Sequence, residues 1–166
     1  MIDAGGLIDA GELIDAGASI DTGDAESVTR GLITGDRTKL VWNGARQHAP
    51  KNKVKLVLNL CLIALATIPR GGIVTVDLTG EGDTMAVRVE ARGANARLAH
   101  GIAALIDGRP EGNSIDAHTI QAFYTGLVGR DCGMDVAVTA EPDFVLLTAQ
   151  PAAKAAAADT ALAGPA

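Results

Sequence analysis

The stretch from Val54 to Leu78, VKLVLNLCLIALATIPRGGIVTVDL, constrains the fold more than any other part of the chain. Val54, Val57, Leu58, Cys61, Leu62 and Leu65 recur at helical spacing and predict a long helix from about Asn52 to Ile68. Pro69, Gly71 and Gly72 end it, and Ile73 to Leu78 then reads as a strand. A helix this apolar has to be buried against a core. One polar residue, Asn59, stands inside it, in the run Asn59-Leu60-Cys61-Leu62-Ile63-Ala64.

The flanking segments supply the rest of a small domain. Asp24 is placed to cap a helix whose apolar positions are Val28, Leu32 and Ile33, ending before Gly35, and a strand is expected at Thr38 to Trp42. A loop through Pro50 leads into the long helix. Ile73 to Leu78 and Thr84 to Ala91 flank the turn Gly80 to Asp83 and read as a hairpin. Leu98, Ile102, Leu105 and Ile106 mark an amphipathic helix capped by Asn95. A further helix, capped by Asp116, carries Ile120, Phe123, Tyr124, Leu127 and Val128 to about Cys132, where Gly133 stops it. Met134 to Thr139 and Phe144 to Ala149 close the pattern as a strand pair. Five strands, mostly in hairpins, with four helices between them point to an α+β fold, a mixed sheet covered by helices on one face.

The two ends differ from this body. Residues 1–24 are four hexads, MIDAGG, LIDAGE, LIDAGA and SIDTGD, with Ile at 2, 8, 14 and 20, each followed by Asp. Four hexads scarcely close one coil of a β-solenoid, so residues 1–23 are expected to be a flexible acidic lead-in, with only the last copy joining the fold. The domain itself is placed at 24–150, and 151–166, rich in Ala, as a disordered tail. Seven of the chain's 20 acidic residues lie within the first 26 positions, where there is no base, which leaves 13 acids against 14 bases elsewhere. The formal charge of −6 therefore describes the lead-in, not the domain. Without a basic stripe or interleaved aromatics, nucleic-acid binding is not expected. No apolar run is long enough to cross a bilayer and no signal-peptide pattern opens the chain, so a cytoplasmic location and no membrane partner are expected. Cys61 and Cys132 lie far apart with no CxxC, so packing roles are expected, with no metal site and no disulfide.

The long helix resembles the one that carries the nucleotide site in histidine-kinase ATPase domains. There it reads Asn-Leu-x-x-Asn-Ala, and the second Asn holds the Mg²⁺ that bridges the ATP phosphates. Ile63 stands at that position here, and its alkyl side chain offers a hard cation no oxygen. The family's Asp-x-Gly-x-Gly motif, whose carboxylate accepts from the adenine amino group, corresponds to Ala91 and the residues after it. In place of a Gly-rich loop beside the phosphates, the chain has IDAHTIQ between Ile115 and Gln121. No ATP and no other cofactor is therefore expected. Asn59 reads as an amide bonded within the core, and Asn59, Ile63, Ala91 and His118 mark a degenerate nucleotide pocket.

From Ser19 to about Gln150, SIDTGD, TKLVWN, PKNKVKLVLNL, IPRGG and IDAHTIQAFYTGLVGR closely resemble the C-terminal domain of ChpT-type histidine phosphotransferases of alphaproteobacteria. The resemblance implies a two-layer α/β sandwich of the histidine-kinase ATPase (Bergerat or GHKL) type that does not bind ATP. It also implies a family that homodimerises through a helical hairpin bearing the phosphorylated His. Such proteins pass phosphoryl groups from a hybrid histidine kinase to response-regulator receiver domains in cell-cycle relays, and these are the implied partners. No His-Asp dipeptide occurs in this sequence, and the hexads occupy the place where that hairpin ends. The expectation is a shortened form with no catalytic residue of its own, which docks receiver domains.

His48, His100 and His118 read as surface or capping residues rather than phosphate carriers. His118, in the first turn of its helix, is favoured as neutral imidazole by the dipole. Lys51, Lys53 and Lys55 form the one dense basic cluster, at a helix N-terminus that disfavours positive charge, and are the candidates for steering an acidic partner. Two readings compete with the docking domain: a functional nucleotide-binding enzyme of the ATPase fold, and a non-catalytic regulatory or decoy partner of a phosphorelay.

Overall fold

The computed structural model describes residues 19–33, 35–109 and 117–152. Strands β2 (Thr38–Asn43), β4 (Gly72–Thr79), β5 (Ala86–Arg92), β6 (Met134–Glu141) and β7 (Phe144–Pro151) form one sheet in the order β2-β4-β5-β7-β6. Helices α1 (Thr22–Leu32), α2 (Lys51–Ala66), α3 (Ile102–Ile106) and α4 (Ala117–Asp131) complete the domain. β2 and β4 are parallel, because α2 crosses over between them, and every other pair is antiparallel. The hexads before Ser19, the Asp116 cap and the tail from residue 153 lie outside the described residues.

Period-two alternation gives the sheet two unlike faces. Val74, Val76, Val89, Ala91, Val145 and Leu147 are fully buried on the inner face and share one core with Leu56, Val57, Leu60, Cys61 and Ala64 of α2. On the outer face the register sets Arg88, Glu90 and Arg92 in a row, with Glu90 bonded to both arginines and the Arg92 guanidinium 4.4 Å from the Phe144 ring centroid. The polar outer row and the apolar inner one make a two-layer α/β sandwich, its helices confined to one side.

Two features lie beyond the sequence reading. The loop expected before Pro50 contains a short strand, β3 (His48–Pro50), which pairs antiparallel with β1 (Ser19–Asp21), so the final hexad does enter the fold. Thr22 and Gln47 extend this ribbon by reciprocal bonds: the Thr22 N–H donates to the Gln47 carbonyl at 2.7 Å, and the Gln47 N–H to Thr22 Oγ1 at 3.0 Å. The cap of α1 is Asp21 rather than Asp24, its Oδ1 accepting from the Gly23 N–H at 2.8 Å and its Oδ2 from Arg46 Nε at 2.7 Å.

The apolar positions of α1 also point the other way. Val28 and Leu32 are exposed, and Thr22, Ala25 and Thr29 are buried instead. Small side chains let α1 lie close to α2, and the buried Thr29 hydroxyl donates back to the Ala25 carbonyl of its own helix at 2.8 Å. α3 has only five residues; Asn95 does not cap it but sits in a turn at φ 63°. α4 keeps Ala122, Thr125, Gly126 and Gly129 inward, and a Cβ on Gly126 would collide with the Ile106 carbonyl, so this glycine sets the approach of α3 to α4. Ile120, Phe123, Tyr124 and Leu127 all face solvent.

The α1 cap gives a pH-dependent prediction. The Gly23 N–H and then Arg46 hold the Asp21 carboxyl below its ordinary value of 3.8. A depressed carboxyl stabilises the fold fully above its unfolded value and loses that contribution as pH falls through the folded one. Asp21→Asn is expected to lower Tm at pH 7, and the gap from the parent should close below pH 3.8 in thermal melts across pH. An equal gap at all pH values would remove the carboxylate from the account.

Candidate functional site

The α2 helix ends where the resemblance places a nucleotide pocket, and three loops converge there. Thr67 caps α2 and Gly71, at φ 96°, turns the chain into β4. A side chain on Gly71 would strike the Arg37 carbonyl, so the tight exit requires glycine. The segment after β5 is tied down at both sides. The Arg97 N–H donates to the Thr67 carbonyl at 3.0 Å, and the Asn95 N–H to Asp143 Oδ1 at 2.8 Å. Between these loops and α3 lies a cavity of about 240 Å³. Ile63, Thr67 and Ile102 are its buried floor, and Asn95, Arg97 and Gln121 are on its rim.

The four residues expected to mark a degenerate nucleotide pocket take different places. Ile63 lines the cavity and is 7% exposed, so an alkyl chain stands where a metal-binding amide would. Ala91 is fully buried between Val74 and Val145, with a methyl group in place of a carboxylate. Asn59 lies one turn before Ile63 on α2, and both ends of its amide are engaged. Its Nδ2 donates to the Lys55 carbonyl at 2.8 Å, and its Oδ1 accepts from Gln121 Nε2 at 3.2 Å, which bridges α2 to α4. His118 is placed by its backbone alone, as the second residue of α4. Asn95, four positions after Ala91, stands where the nucleotide-binding motif carries its second Gly, and its φ of 63° keeps the left-handed turn that Gly would supply.

The three lysines do not form one surface. Lys51 and Lys55 are half-buried, whereas Lys53 is 5% exposed and turned inward. Its Nζ donates to the Gly82 carbonyl at 3.0 Å and the Asp83 carbonyl at 2.9 Å, pinning the 3₁₀ turn Gly82–Thr84 between β4 and β5 to the start of α2. Sequence spacing cannot show this, because Lys in the first turn of a helix looks the same whether it reaches water or a carbonyl.

His48 is exposed on β3 and His100 is exposed in the loop before α3. Among the described residues, no three of His, Cys, Asp and Glu gather as a metal-ligand set. Burial pushes the Cys61 thiol up to about 12, and it raises Cys132 as well, so neither is a thiolate at neutral pH. No helix of the described residues is long and apolar enough to cross a membrane.

A helical layer over a five-stranded mixed sheet, with a cleft at the end of the long helix, is the architecture of histidine-kinase ATP-binding domains. The mycobacterial sensor histidine kinase MprB matches 80% of this chain and 94% of its own at TM-score 0.60 and 15% identity. The catalytic domain of the histidine kinase ThkA matches 81% of this chain and 95% of its own, at TM-score 0.58 and 8% identity. At such identities the fold alone is shared. Within that class the chain belongs to the histidine phosphotransferase family of ChpT type: the family model for the histidine phosphotransferase C-terminal domain matches residues 22–144. The protein phosphotransferase ChpT of Brucella abortus (strain 2308) is 36% identical over 128 residues, which are 77% of this chain and 61% of that protein. A bacterial phosphotransferase of known structure superposes with TM-score 0.73 and 36% identity over 81% of this chain and 66% of its own. The chain thus spans less than two thirds of the length of either relative.

The two lysine environments are separable by experiment. Lys53→Met leaves two carbonyls without their donor and is expected to cost about 1–3 kcal/mol in urea unfolding. Lys55→Met, at a half-buried position, is expected to change stability by no more than about 0.5 kcal/mol. Equal effects would remove the carbonyl pin from the account.

Proposed function

We propose that this chain is the pseudo-ATPase C-terminal domain of a phosphorelay histidine phosphotransferase, which docks receiver domains of response regulators or hybrid histidine kinases. The phosphoryl-accepting imidazole belongs, on this reading, to a helical hairpin of the kind the family carries, since the 166 residues contain no His-Asp dipeptide. The observation that carries the pseudo-ATPase reading is the cleft itself. Ile63 lines it and Ala91 lies fully buried, so neither an oxygen ligand for Mg²⁺ nor a carboxylate for the adenine amino group stands at those two positions. Each missing contact weakens nucleotide binding by about 1–3 kcal/mol.

Docking rests on a second observation. Ile120, Phe123, Tyr124 and Leu127 lie three and four residues apart along α4 and form one exposed apolar stripe. Solvent-facing stripes of this kind on a single domain mark protein contact surfaces. Lys51 and Lys55 add positive charge at the start of α2, which faces the C-terminal end of α4 through the Asn52–Asp131 hydrogen bond at 3.3 Å. An apolar stripe ending beside positive charge suits a partner with an acidic rim, the charge raising the association rate more than the affinity.

Titration with MgATP by calorimetry is expected to give no binding heat in the micromolar range, and clear saturation there would overturn the pseudo-ATPase reading. Incubation with a phosphorylated receiver domain is expected to leave this chain unlabelled, because the acceptor His lies elsewhere. Label on the chain would identify a phospho-acceptor among His48, His100 and His118. In a binding assay with the receiver, Phe123→Asp should weaken association by about tenfold or more, the loss typical of one central apolar contact. An unchanged affinity would move the docking surface off α4.

A further inference from the structure

We infer that the cleft at the end of α2 is a binding site for a small amphipathic monocarboxylate, an apolar body carrying one acidic group. The inference rests on the reading that the cleft no longer takes MgATP, and it assigns a use to the space that remains. Substitution has not filled that space, since about 240 Å³ stay open. By proportion to an engineered apolar cavity of about 150 Å³ that accepts benzene, it holds a body of roughly ten non-hydrogen atoms. A nucleoside triphosphate is several times larger.

The lining states the chemistry of the occupant. Ile63, Ile102 and Leu98 offer only carbon, so the inner part of a ligand is hydrocarbon or an aromatic ring. Arg97 and Asn95, both exposed, line the cavity as well, one bearing a guanidinium and the other a side-chain amide. Neither side chain is bonded to another described residue, although the backbone N–H groups of both are fixed, to Thr67 and Asp143. Their side-chain donors are therefore available to an incoming acceptor, and their backbone is already fixed. A guanidinium and an amide together match one carboxylate: the planar fork of Arg donates to its two oxygens, and one positive charge balances one negative charge. A triphosphate would leave most of its charge without a counterion here.

The test uses the full chain with 2-naphthoate and octanoate as probes, 2-naphthalenemethanol as the neutral counterpart of the first, and MgATP in parallel, all by calorimetry. At least one carboxylate is expected to bind with Kd of about 0.1–1 mM, a range suited to ligands of ten to thirteen atoms. Arg97→Gln should raise that Kd by about tenfold. Ala66→Phe, at an exposed position on the cavity wall, should abolish binding while the thermal melt stays that of a folded protein. The neutral alcohol should bind more weakly and show no response to Arg97→Gln. If neither carboxylate binds in the millimolar range, or if binding ignores both substitutions, the inference is overturned while the pseudo-ATPase reading stands. Saturable MgATP binding overturns that reading, and this inference with it.

Discussion

The contact between α2 and the inner face of the sheet is the constraint on which everything else depends. Leu56, Leu60, Cys61 and Ala64 share one core with valines from β4, β5 and β7, and none of these side chains is accessible to water. A helix buried this completely cannot rotate or slide without opening a cavity, and removing a single buried Leu side chain costs about 2–5 kcal/mol. The crossover through α2 makes β2 parallel to β4, and the cleft lies where this fixed helix stops. Asn59 is held in the same frame, through its bond to Gln121. The cleft is therefore part of the domain's packing, and its shape is fixed by the same contacts that hold α2 to the sheet.

Much of this architecture was legible because the sheet and α2 announce themselves through strong periodicity. β4, β5, β6 and β7 fall close to their expected positions, and the Pro69, Gly71 and Gly72 stop is where the helix ends. The misreadings share a physical cause. In α1 and α4 the large apolar residues look like the core face, yet apart from Val128, which is buried, the structure turns inward Thr22, Ala25 and Thr29 in one and Ala122 and Thr125 in the other. Close helix packing selects small side chains, and a pattern search that follows size and hydropathy follows the opposite face. Positions 122, 125, 126 and 129 carry the signal that could have shown this, a run of Ala, Thr and two Gly at helical spacing. β1 and β3, three residues each, are too short for any alternation to register.

The candidate site was legible in a different sense. Motif comparison pointed to Ile63 and Ala91, and the structure sets one on the wall of the cleft and the other fully buried in the sheet. What the sequence could not show is that the cleft is still open, because an empty volume has no residue of its own. Arg97 and Asn95 were missed for a related reason: they lie in a loop without periodicity, and only their positions on the rim draw attention to them. Lys53 is the converse case, a charge that looked like surface and serves as a pin.

The ribbon of β1 and β3 has a mechanical meaning. Ser19 pairs with Pro50, the residue immediately before α2, and Asp21 fastens the same corner through Gly23 and Arg46. The first described residues of the domain are thus fixed at the head of α2, the helix buried in its core. From that corner α2 runs through the core to the cleft, which Ile63 and Ala66 near its far end help to line. The ribbon and the cleft are thus the two ends of a single buried helix.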